Sequence, residues 1–237
     1  MPQLLRRLYW RFLKRKPHLT RLQSSLGYFF VREDLLEQCI THKSIDPNPR
    51  LNYERLEFLG DAVIDHVISL CLLREFPESN EGFLTQKRAA LVQRSFLAKM
   101  GKRLGLEHHI RAAVNVDLDS EKVSQKQLAN VFEALVGGIY LDGGLRPCAD
   151  LIVRTVWRHR KESWQTINYK GILLEYCQGS GLGSPLFSVT DTSGPEHEKT
   201  FEVTVTVGSR TFPAGTGETK KAAEQEAAEI ALGFLRS

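Results

Sequence analysis

Hydrophobic residues recur every three or four positions through most of the chain. This spacing is typical of the apolar face of an α-helix. Proline and glycine residues interrupt it between segments, as expected for connecting loops. The pattern therefore predicts a helical domain over residues 22–165. Its predicted helical segments are 33–42, 53–76, 81–105, 124–144 and 146–164.

The pattern changes near residue 166. After one more helical segment, apolar and polar residues alternate as they do in half-buried strands, and an alanine-rich helix follows. The order α-β-β-β-α predicts a second, small α+β domain over residues 166–237. Its segments are a helix at 168–179, strands at 186–192 and 199–208, a further alternating run at 210–217, and a helix at 219–235.

Positive charge is concentrated at the start of the chain. Residues 1–32 hold eight Lys or Arg and no acid, whereas residues 168–237 hold six basic and nine acidic residues. We assign residues 1–21 to a basic N-terminal arm, in which leucine and aromatic residues alternate with the bases. Contact with RNA phosphates or an anionic surface, an organelle transit segment, and a solvated extension without a specific role are all open interpretations.

Composition argues against a membrane protein and a disulfide-rich one. The richest apolar segment, residues 62–73, is interrupted by Asp65 and His66, and it is too short to span a bilayer. No C-x-x-C pair is present, which disfavours a disulfide framework or a zinc site. We therefore expect a cytoplasmic protein with reduced thiols and no membrane contact. The cysteines are Cys39, Cys71, Cys148 and Cys177.

Three acids share one face of a predicted helix. Glu54, Glu57 and Asp61 are spaced i, i+3 and i+7, and the residues that follow are mostly apolar. Carboxylates beside a buried surface lose hydration and repel one another. A hard divalent cation relieves both costs, and Mg²⁺ prefers oxygen ligands. The spacing therefore predicts a metal-binding face.

Two segments resemble known families. Residues 52–65, NYERLEFLGDAVID, resemble the signature segment of ribonuclease III, a metal-dependent endonuclease that cuts double-stranded RNA. Residues 215–232, GTGETKKAAEQEAAEIAL, resemble the end of a double-stranded RNA-binding domain. The resemblance implies a mainly α, ribonuclease III-like helical bundle followed by an α-β-β-β-α RNA-binding fold, which is the order of bacterial ribonuclease III.

The resemblance also implies an activity. It is hydrolysis of phosphodiester bonds in double-stranded RNA to 5′-phosphate and 3′-hydroxyl ends, in ribosomal and other RNA processing. The implied cofactor is Mg²⁺, for which Mn²⁺ can substitute, and no small-molecule cofactor is expected. The implied assembly is a homodimer, in which Phe58 is an apolar knob inserted into the partner subunit; the alternative for Phe58 is an ordinary core residue.

Site residues follow from the same resemblance, through segments 80–92 and 127–144. Glu81 can alternatively be an acid favoured by a helix N-terminus. His42, in a further family-like segment, is expected to be a structural histidine at a helix end. The implied metal shell is Glu57, Asp61, Asn130 and Glu133, with Asp61 and Glu133 catalytic and with Glu54 and Glu81 as supporting acids.

Asn130 departs from the family, which has Asp at this position. Asparagine offers one neutral carbonyl oxygen and an amide donor, so one negative charge is lost and Mg²⁺ binding is expected to weaken. This favours an alternative function: a double-stranded RNA-binding protein with the ribonuclease III fold but impaired or lost cleavage. The retained carboxylates argue against it, since a protein that only binds RNA gains nothing from a repulsive acidic face.

The last domain is expected to hold duplex RNA. Lys220 and Lys221 begin its final helix, where free backbone N–H groups and the helix dipole favour phosphate. Leu174 departs from related enzymes, which often have Gln there. For each implied contact, the alternative is a solvated surface residue. The residues that match minor-groove contacts in the family are Glu175, Gln178 and His197.

Overall fold

The computed structural model describes residues 17–117, 120–195 and 199–236. The chain divides into two compact units. One contains the described residues up to 78 together with 84–165, and the other contains 79–83 together with the described residues from 166 onwards.

The first part of the chain is helical, as predicted. Its helices are α1 (Pro17–Leu26), α2 (Glu33–Ile40), α3 (Glu54–Glu75), α4 (Glu81–Val92), α5 (Arg94–Arg103), a 3₁₀ turn (Leu106–His108), α6 (Glu121–Gly143), α7 (Leu145–Ile152), a π-helical turn (Val153–Trp157) and α8 (Arg160–Trp164). Residues 17–21, which the charge pattern assigned to the basic arm, lie in helix α1. Leu19 and Leu22 are fully buried in the core, so this part of the segment packs with the helical domain.

Helix α6 forms the centre of the first unit. Nearly all of its side chains from Gln127 to Ile139 are buried, and α3 packs against it through the face that carries Ile64 and Ile68. A helix that is apolar on most sides is stable only when other helices surround it. Helices α2, α5 and α7 complete that shell.

Two glycines allow α3 and α6 to touch backbone to backbone. A Cβ atom added at Gly60 would lie 1.8 Å from the carbonyl oxygen of Glu133, and one at Gly137 would lie 2.2 Å from that of Leu56. No side chain fits at either position, since real Cβ contacts are never this short. The close crossing brings the acidic turn of α3 beside Glu133.

The second unit has the predicted α+β order. Its elements are α9 (Tyr169–Gly179), β1 (Leu186–Ser193), β2 (Thr200–Val207), β3 (Arg210–Thr211), β4 (Gly215–Gly217) and α10 (Lys220–Arg236). Strand β2 pairs antiparallel with β1, β3 and β4. The alternating run at 210–217 forms two short strands, because Pro213 lies between them and has no N–H to donate.

The core of this unit lies between the sheet and its helices. Val203, Val205 and Val207 alternate along the buried face of β2. Alanines of α10, including Ala223 and Ala227, allow the helix to approach the sheet closely.

Composition led to two expectations, which were reduced cysteines and no membrane-spanning segment. All four cysteines are free thiols. Among the helices of the described ranges, none is both long and apolar enough to cross a bilayer.

Candidate active site

Three carboxylates lie near the crossing of α3 and α6. Glu57 and Asp61 flank Gly60 on α3, and Glu133 lies one turn before Gly137 on α6. Glu133 is partly buried, and its charge interacts with those of both α3 acids. Glu133 therefore lies close enough to both α3 acids to be affected by their charges, although Asp61 is exposed to solvent.

Burial raises the pKa of each of the three carboxyl groups, and neighbouring acids add to the shift. Burial and the charges of Glu57 and Asp61 raise the pKa of Glu133 to about 8. Burial raises the pKa of Glu57, with a further increase from Glu54, and burial together with Asp65 raises that of Asp61. The charged forms of these side chains are therefore less favourable here than in water.

The donor set suits a hard divalent cation. It contains three carboxylates and the amide oxygen of Asn130, which are ligand types that Mg²⁺ and Mn²⁺ accept. Within the described part of the chain, no three His, Cys, Asp or Glu residues are close enough to form a ready metal-binding cluster. The residue types therefore suit a divalent cation, but among the described residues they do not form a preassembled metal site.

Two further acids lie at helix starts. Glu54 is exposed at the start of α3, and it forms an ion pair with Lys43 whose Nζ–Oε1 distance is 2.9 Å. Glu81 is the exposed first residue of α4. Glu81 is not among the main charged groups that shift the pKa of Glu57, Asp61 or Glu133.

Asn130 is buried on α6, with only 8% of its surface exposed. One turn earlier on the same helix, Oε1 of Gln127 accepts a hydrogen bond from the hydroxyl of Tyr53. This bond connects the residue before α3 to α6.

Sequence reasoning missed two cations near the acids. Arg94, at the start of α5, partly offsets the upward pKa shifts of Glu57 and Glu133. Lys126 partly offsets the upward pKa shift of Glu57. Lys126 precedes Asn130 by four residues, so helical spacing could have identified it. Arg94 could not have been identified in this way, because only the packing of α5 against α6 brings it to the site.

His42 has structural contacts. Its Nδ1 lies 2.8 Å from the Ser44 hydroxyl and accepts from the Ser44 N–H at 3.1 Å, and the Ser44 oxygen accepts from the N–H of Ala113. Burial and the neighbouring Lys43 lower the pKa of His42, which favours the neutral ring. These contacts order the loop after α2, in agreement with the structural interpretation.

Phe58 projects from the acidic turn of α3 into solvent. Its side chain is 81% exposed, so it is not a core residue of this chain. An exposed aromatic ring of this size on a rigid helix is a typical contact residue of protein interfaces.

The implied RNA contacts of the second unit lie on its two helices. Lys220 and Lys221 are exposed in the first turn of α10, and Glu175 and Gln178 are exposed on α9. The Thr219 hydroxyl accepts from the N–H of Ala222 at 3.1 Å and caps α10. His197 lies outside the described residues.

Comparison with known proteins identifies both parts of the chain. Residues 32–159, just over half of the chain, match the family described as Ribonuclease-III-like, and residues 169–235 match the double-stranded RNA binding motif. Ribonuclease 3 of Sulfurovum sp. is 34% identical over 220 residues, which cover 92% of this chain and 98% of that protein. Ribonuclease 3 of Nitratiruptor sp. is 35% identical, and the match covers 92% of this chain and 97% of that protein. The chain belongs to the ribonuclease III family.

A solved ribonuclease III structure resembles the first unit. The nuclease domain from Campylobacter jejuni superposes with a TM-score of 0.56 at 35% identity, covering 59% of this chain and 96% of that one. Ribonuclease III enzymes are endoribonucleases specific for double-stranded RNA and are generally metal-dependent. The chain is therefore an endoribonuclease of this class, with a double-stranded RNA-binding motif after its catalytic part.

Proposed function

We propose that this chain cleaves double-stranded RNA at the α3–α6 crossing, with Glu57, Asp61, Glu133 and Asn130 holding Mg²⁺, for which Mn²⁺ can substitute. The observation that best supports the proposal is the close crossing of α3 and α6 at Gly60 and Gly137, which brings partly buried Glu133 near enough to Glu57 and Asp61 to be affected by their charges. Such a cluster destabilises the metal-free protein, and a bound divalent cation offsets the cost.

The side chains have different proposed roles, which depend on their positions. A bound divalent ion supplies Lewis acidity and an activated water for attack on phosphorus. Asp61 and Glu133 are the catalytic carboxylates on facing helices, and Glu54 and Glu81 are supporting acids near the RNA. Arg94 and Lys126 add positive charge beside the acids, where it attracts the phosphates of the scissile strand.

The function is tested with long duplex RNA. Incubation with Mg²⁺ or Mn²⁺ is expected to give fragments with 5′-phosphate and 3′-hydroxyl ends, identified by end labelling, and EDTA is expected to prevent cutting. Precursor ribosomal RNA with long stems is the expected natural type of substrate, and the cytoplasm is the proposed compartment. Retained duplex binding without cutting, both by the unchanged chain and by its Asn130→Asp variant, would instead favour the non-catalytic alternative.

Recognition of duplex RNA is proposed for the second unit. Its contacts are Lys220 and Lys221 with phosphates across the major groove, and Glu175, Gln178 and His197 in the minor grooves. Exposure of the two lysines at the N-terminal end of a long helix supports the phosphate contacts. Such contacts recognise the shape of A-form RNA more than its sequence.

Replacing both lysines tests this recognition. Lys220→Ala together with Lys221→Ala is expected to weaken binding of all duplex sequences alike by roughly tenfold or more, and to flatten the salt dependence of affinity by about two units of slope. Fluorescence anisotropy at several salt concentrations measures both. Arg158→Ala with Lys161→Ala, two exposed cations of the first unit, is the charge-matched control. A loss confined to some sequences would contradict phosphate contact.

A homodimer built around Phe58 is also proposed. The exposure of this ring beside the acidic turn supports it. The structure of the Campylobacter jejuni domain concerns flexibility in a region involved in dimer formation of that protein. A dimer would place two sites on one duplex and produce staggered cuts.

Phe58→Ala should therefore dissociate the dimer without unfolding the chain. We expect the dimer dissociation constant to rise by roughly tenfold or more, since buried aromatic anchors dominate interface energy. Sedimentation velocity over a range of concentrations measures this, and thermal unfolding verifies the fold. Leu73→Ala, at an exposed apolar position farther along α3, is the matched control. Unchanged sedimentation of the Phe58 variant would contradict the assignment.

A further inference from the structure

A lysine in the loop after α2 lies beside the first turn of α3. The Nζ atom of Lys43 is 2.9 Å from Oε1 of Glu54. Glu54 precedes Glu57 by three residues on the same helix, so about one helical turn separates this ion pair from a carboxylate of the proposed metal site. The ion pair therefore places a positive charge at the edge of the acidic face.

The backbone on both sides of Lys43 is fixed, although the segment is a loop. The N–H of His42 donates to the carbonyl oxygen of Arg111 at 2.8 Å. The hydroxyl oxygen of Ser44 accepts from the N–H of Ala113 at 2.9 Å. The Lys43 side chain therefore starts from a backbone position that hydrogen bonds to residues 111–113 determine.

Asn52 joins this loop to the start of α3. Its side chain is fully buried, Oδ1 accepts from the N–H of Glu54 at 3.0 Å, and Nδ2 donates to the carbonyl oxygen of Asp46 at 3.0 Å. One buried amide thus connects the two segments that carry the ion pair. Lys43 consequently stays near the acidic turn even when its ammonium group changes partner.

The ammonium group of Lys43 is accessible to a ligand. The side chain of Lys43 is 61% exposed and that of Glu54 is 43% exposed. An ammonium group has three N–H donors, and one carboxylate oxygen does not use all of them. Ion pairs as exposed as this one contribute little to stability, so exchange of Glu54 for another anion costs little.

Duplex RNA carries anions of the required kind. Cleavage near the α3–α6 crossing brings a phosphodiester to an acidic face, where carboxylates repel it. Phosphates follow one another along both strands of a duplex, so a cation at the edge of this face can neutralise a phosphate next to the scissile one. Such a contact fixes the position of the duplex and does not depend on base sequence.

We propose that Lys43 is an RNA-contact residue of the first unit, and that its ammonium group exchanges Glu54 for a backbone phosphate beside the scissile bond when duplex RNA binds. The inference rests on the proposed function, because it places the scissile phosphate at the acidic turn of α3.

Lys43→Gln tests the contact in single-turnover cleavage at several enzyme and salt concentrations. The half-saturating enzyme concentration is expected to rise by roughly three- to tenfold for all duplex sequences alike, and its salt dependence to flatten by about one unit of slope. The maximal rate is expected to stay within about twofold, because the metal site is unchanged. Lys43→Arg keeps the charge and should restore the affinity of the unchanged chain.

Lys99 provides the matched control. Its Nζ atom is 2.6 Å from Oε2 of Glu162, and its side chain is 53% exposed. Lys99→Gln therefore also removes a cation from an exposed ion pair, but this pair includes no residue of α3. The half-saturating concentration and the salt slope are expected to remain those of the unchanged chain.

A second background separates RNA contact from mere neutralisation of Glu54. In chains that carry Glu54→Gln the ion pair is absent, and Lys43→Gln is still expected to raise the half-saturating concentration. Loss of the effect in this background would overturn the inference while leaving metal-dependent cleavage in place. A fall in the maximal rate alone, or no difference from the Lys99→Gln control, would do the same.

Failure of the unchanged chain to cut duplex RNA would overturn the proposed function and not, by itself, the contact. The RNA would then stay intact in Mg²⁺, so fluorescence anisotropy would give the dissociation constants of the same variants directly. Equal dissociation constants and salt slopes for the unchanged chain and Lys43→Gln would overturn the inference as well.

Discussion

Glu133→Gln is expected to reduce cleavage of duplex RNA by roughly 10²–10³-fold at saturating Mg²⁺, the magnitude typical of removing one preorganised electrostatic group. Glutamine keeps the shape of the side chain but removes its charge, so α6 loses the carboxylate that it contributes at the crossing with α3. Single-turnover cleavage of a defined duplex measures the rate.

The matched control is Glu75→Gln on α3. Glu75 forms an ion pair with Arg160 at 2.8 Å, and it lies about 27 Å along the helix from Glu57. The cleavage rate of the Glu75→Gln variant is expected to remain within about twofold of that of the unchanged chain, since surface ion pairs contribute little to stability. A Glu133→Gln enzyme that cuts as fast as the control would refute a catalytic role for Glu133.

The same variant is expected to change how stability depends on pH. In the metal-free protein the pKa of Glu133 is raised from 4.5 to about 8, so the folded state holds this proton more tightly than the unfolded state. The associated stability is fully present below pH 4.5 and is lost as the pH rises through 8. Glutamine does not titrate, so the Glu133→Gln variant does not lose this stability as the pH rises.

Urea unfolding in EDTA at several pH values measures the effect. The stability of Glu133→Gln relative to the unchanged chain is expected to increase steadily from acidic pH to about pH 8. Added Mg²⁺ should reduce the difference, because the cation stabilises the charged carboxylate. Stability curves that remain parallel over this pH range would show that Glu133 does not hold a raised pKa.

Asn130→Asp is expected to increase cleavage by about 10–100-fold at limiting Mg²⁺, because altered metal-site partners change affinity by this order. The substitution adds a negative charge and a second ligand oxygen, so lower metal concentrations suffice. At saturating Mg²⁺ the gain should be smaller. Cleavage rates over a Mg²⁺ titration separate the two regimes.

Asn130→Asp is also expected to lower the stability of the metal-free protein. Aspartate would place a further carboxylate at a buried position one turn from Glu133, where burial disfavours the charged form. We therefore expect lower thermal stability in EDTA and recovery with Mg²⁺. Gln165→Glu, at an exposed position near the distal end of α3, adds the same charge and should show neither effect.

Helical spacing predicted the acids that α3 contributes to the proposed site. Glu54, Glu57 and Asp61 lie on one helix, so their common face follows from 3.6 residues per turn. That Glu133 and Asn130 join them was implied only by resemblance to ribonuclease III, because the two segments are far apart in the sequence. Arg94 was not predicted at all, since it belongs to no periodic pattern that includes the acids.

Burial also altered the interpretation of individual residues. Phe58 and Leu56 are both apolar residues of one helical turn, and only packing decides that Leu56 is buried while Phe58 is exposed. Pro213 was visible in the sequence, but its division of the last strand segment depends on pairing with β2. Leu19 lies in the segment assigned to the basic arm, and only the tertiary structure shows that it is buried in the core.

The sequence by itself determined which segments are helices and strands, and where acidic residues cluster, because periodicity and local charge act over a few residues. The tertiary structure decided which groups meet: Gly60 and Gly137 permit the contact of α3 with α6 that brings Glu133 to Glu57 and Asp61. The raised pKa of Glu133 arises from that contact, because burial and repulsion there depend on neighbours from separate parts of the chain.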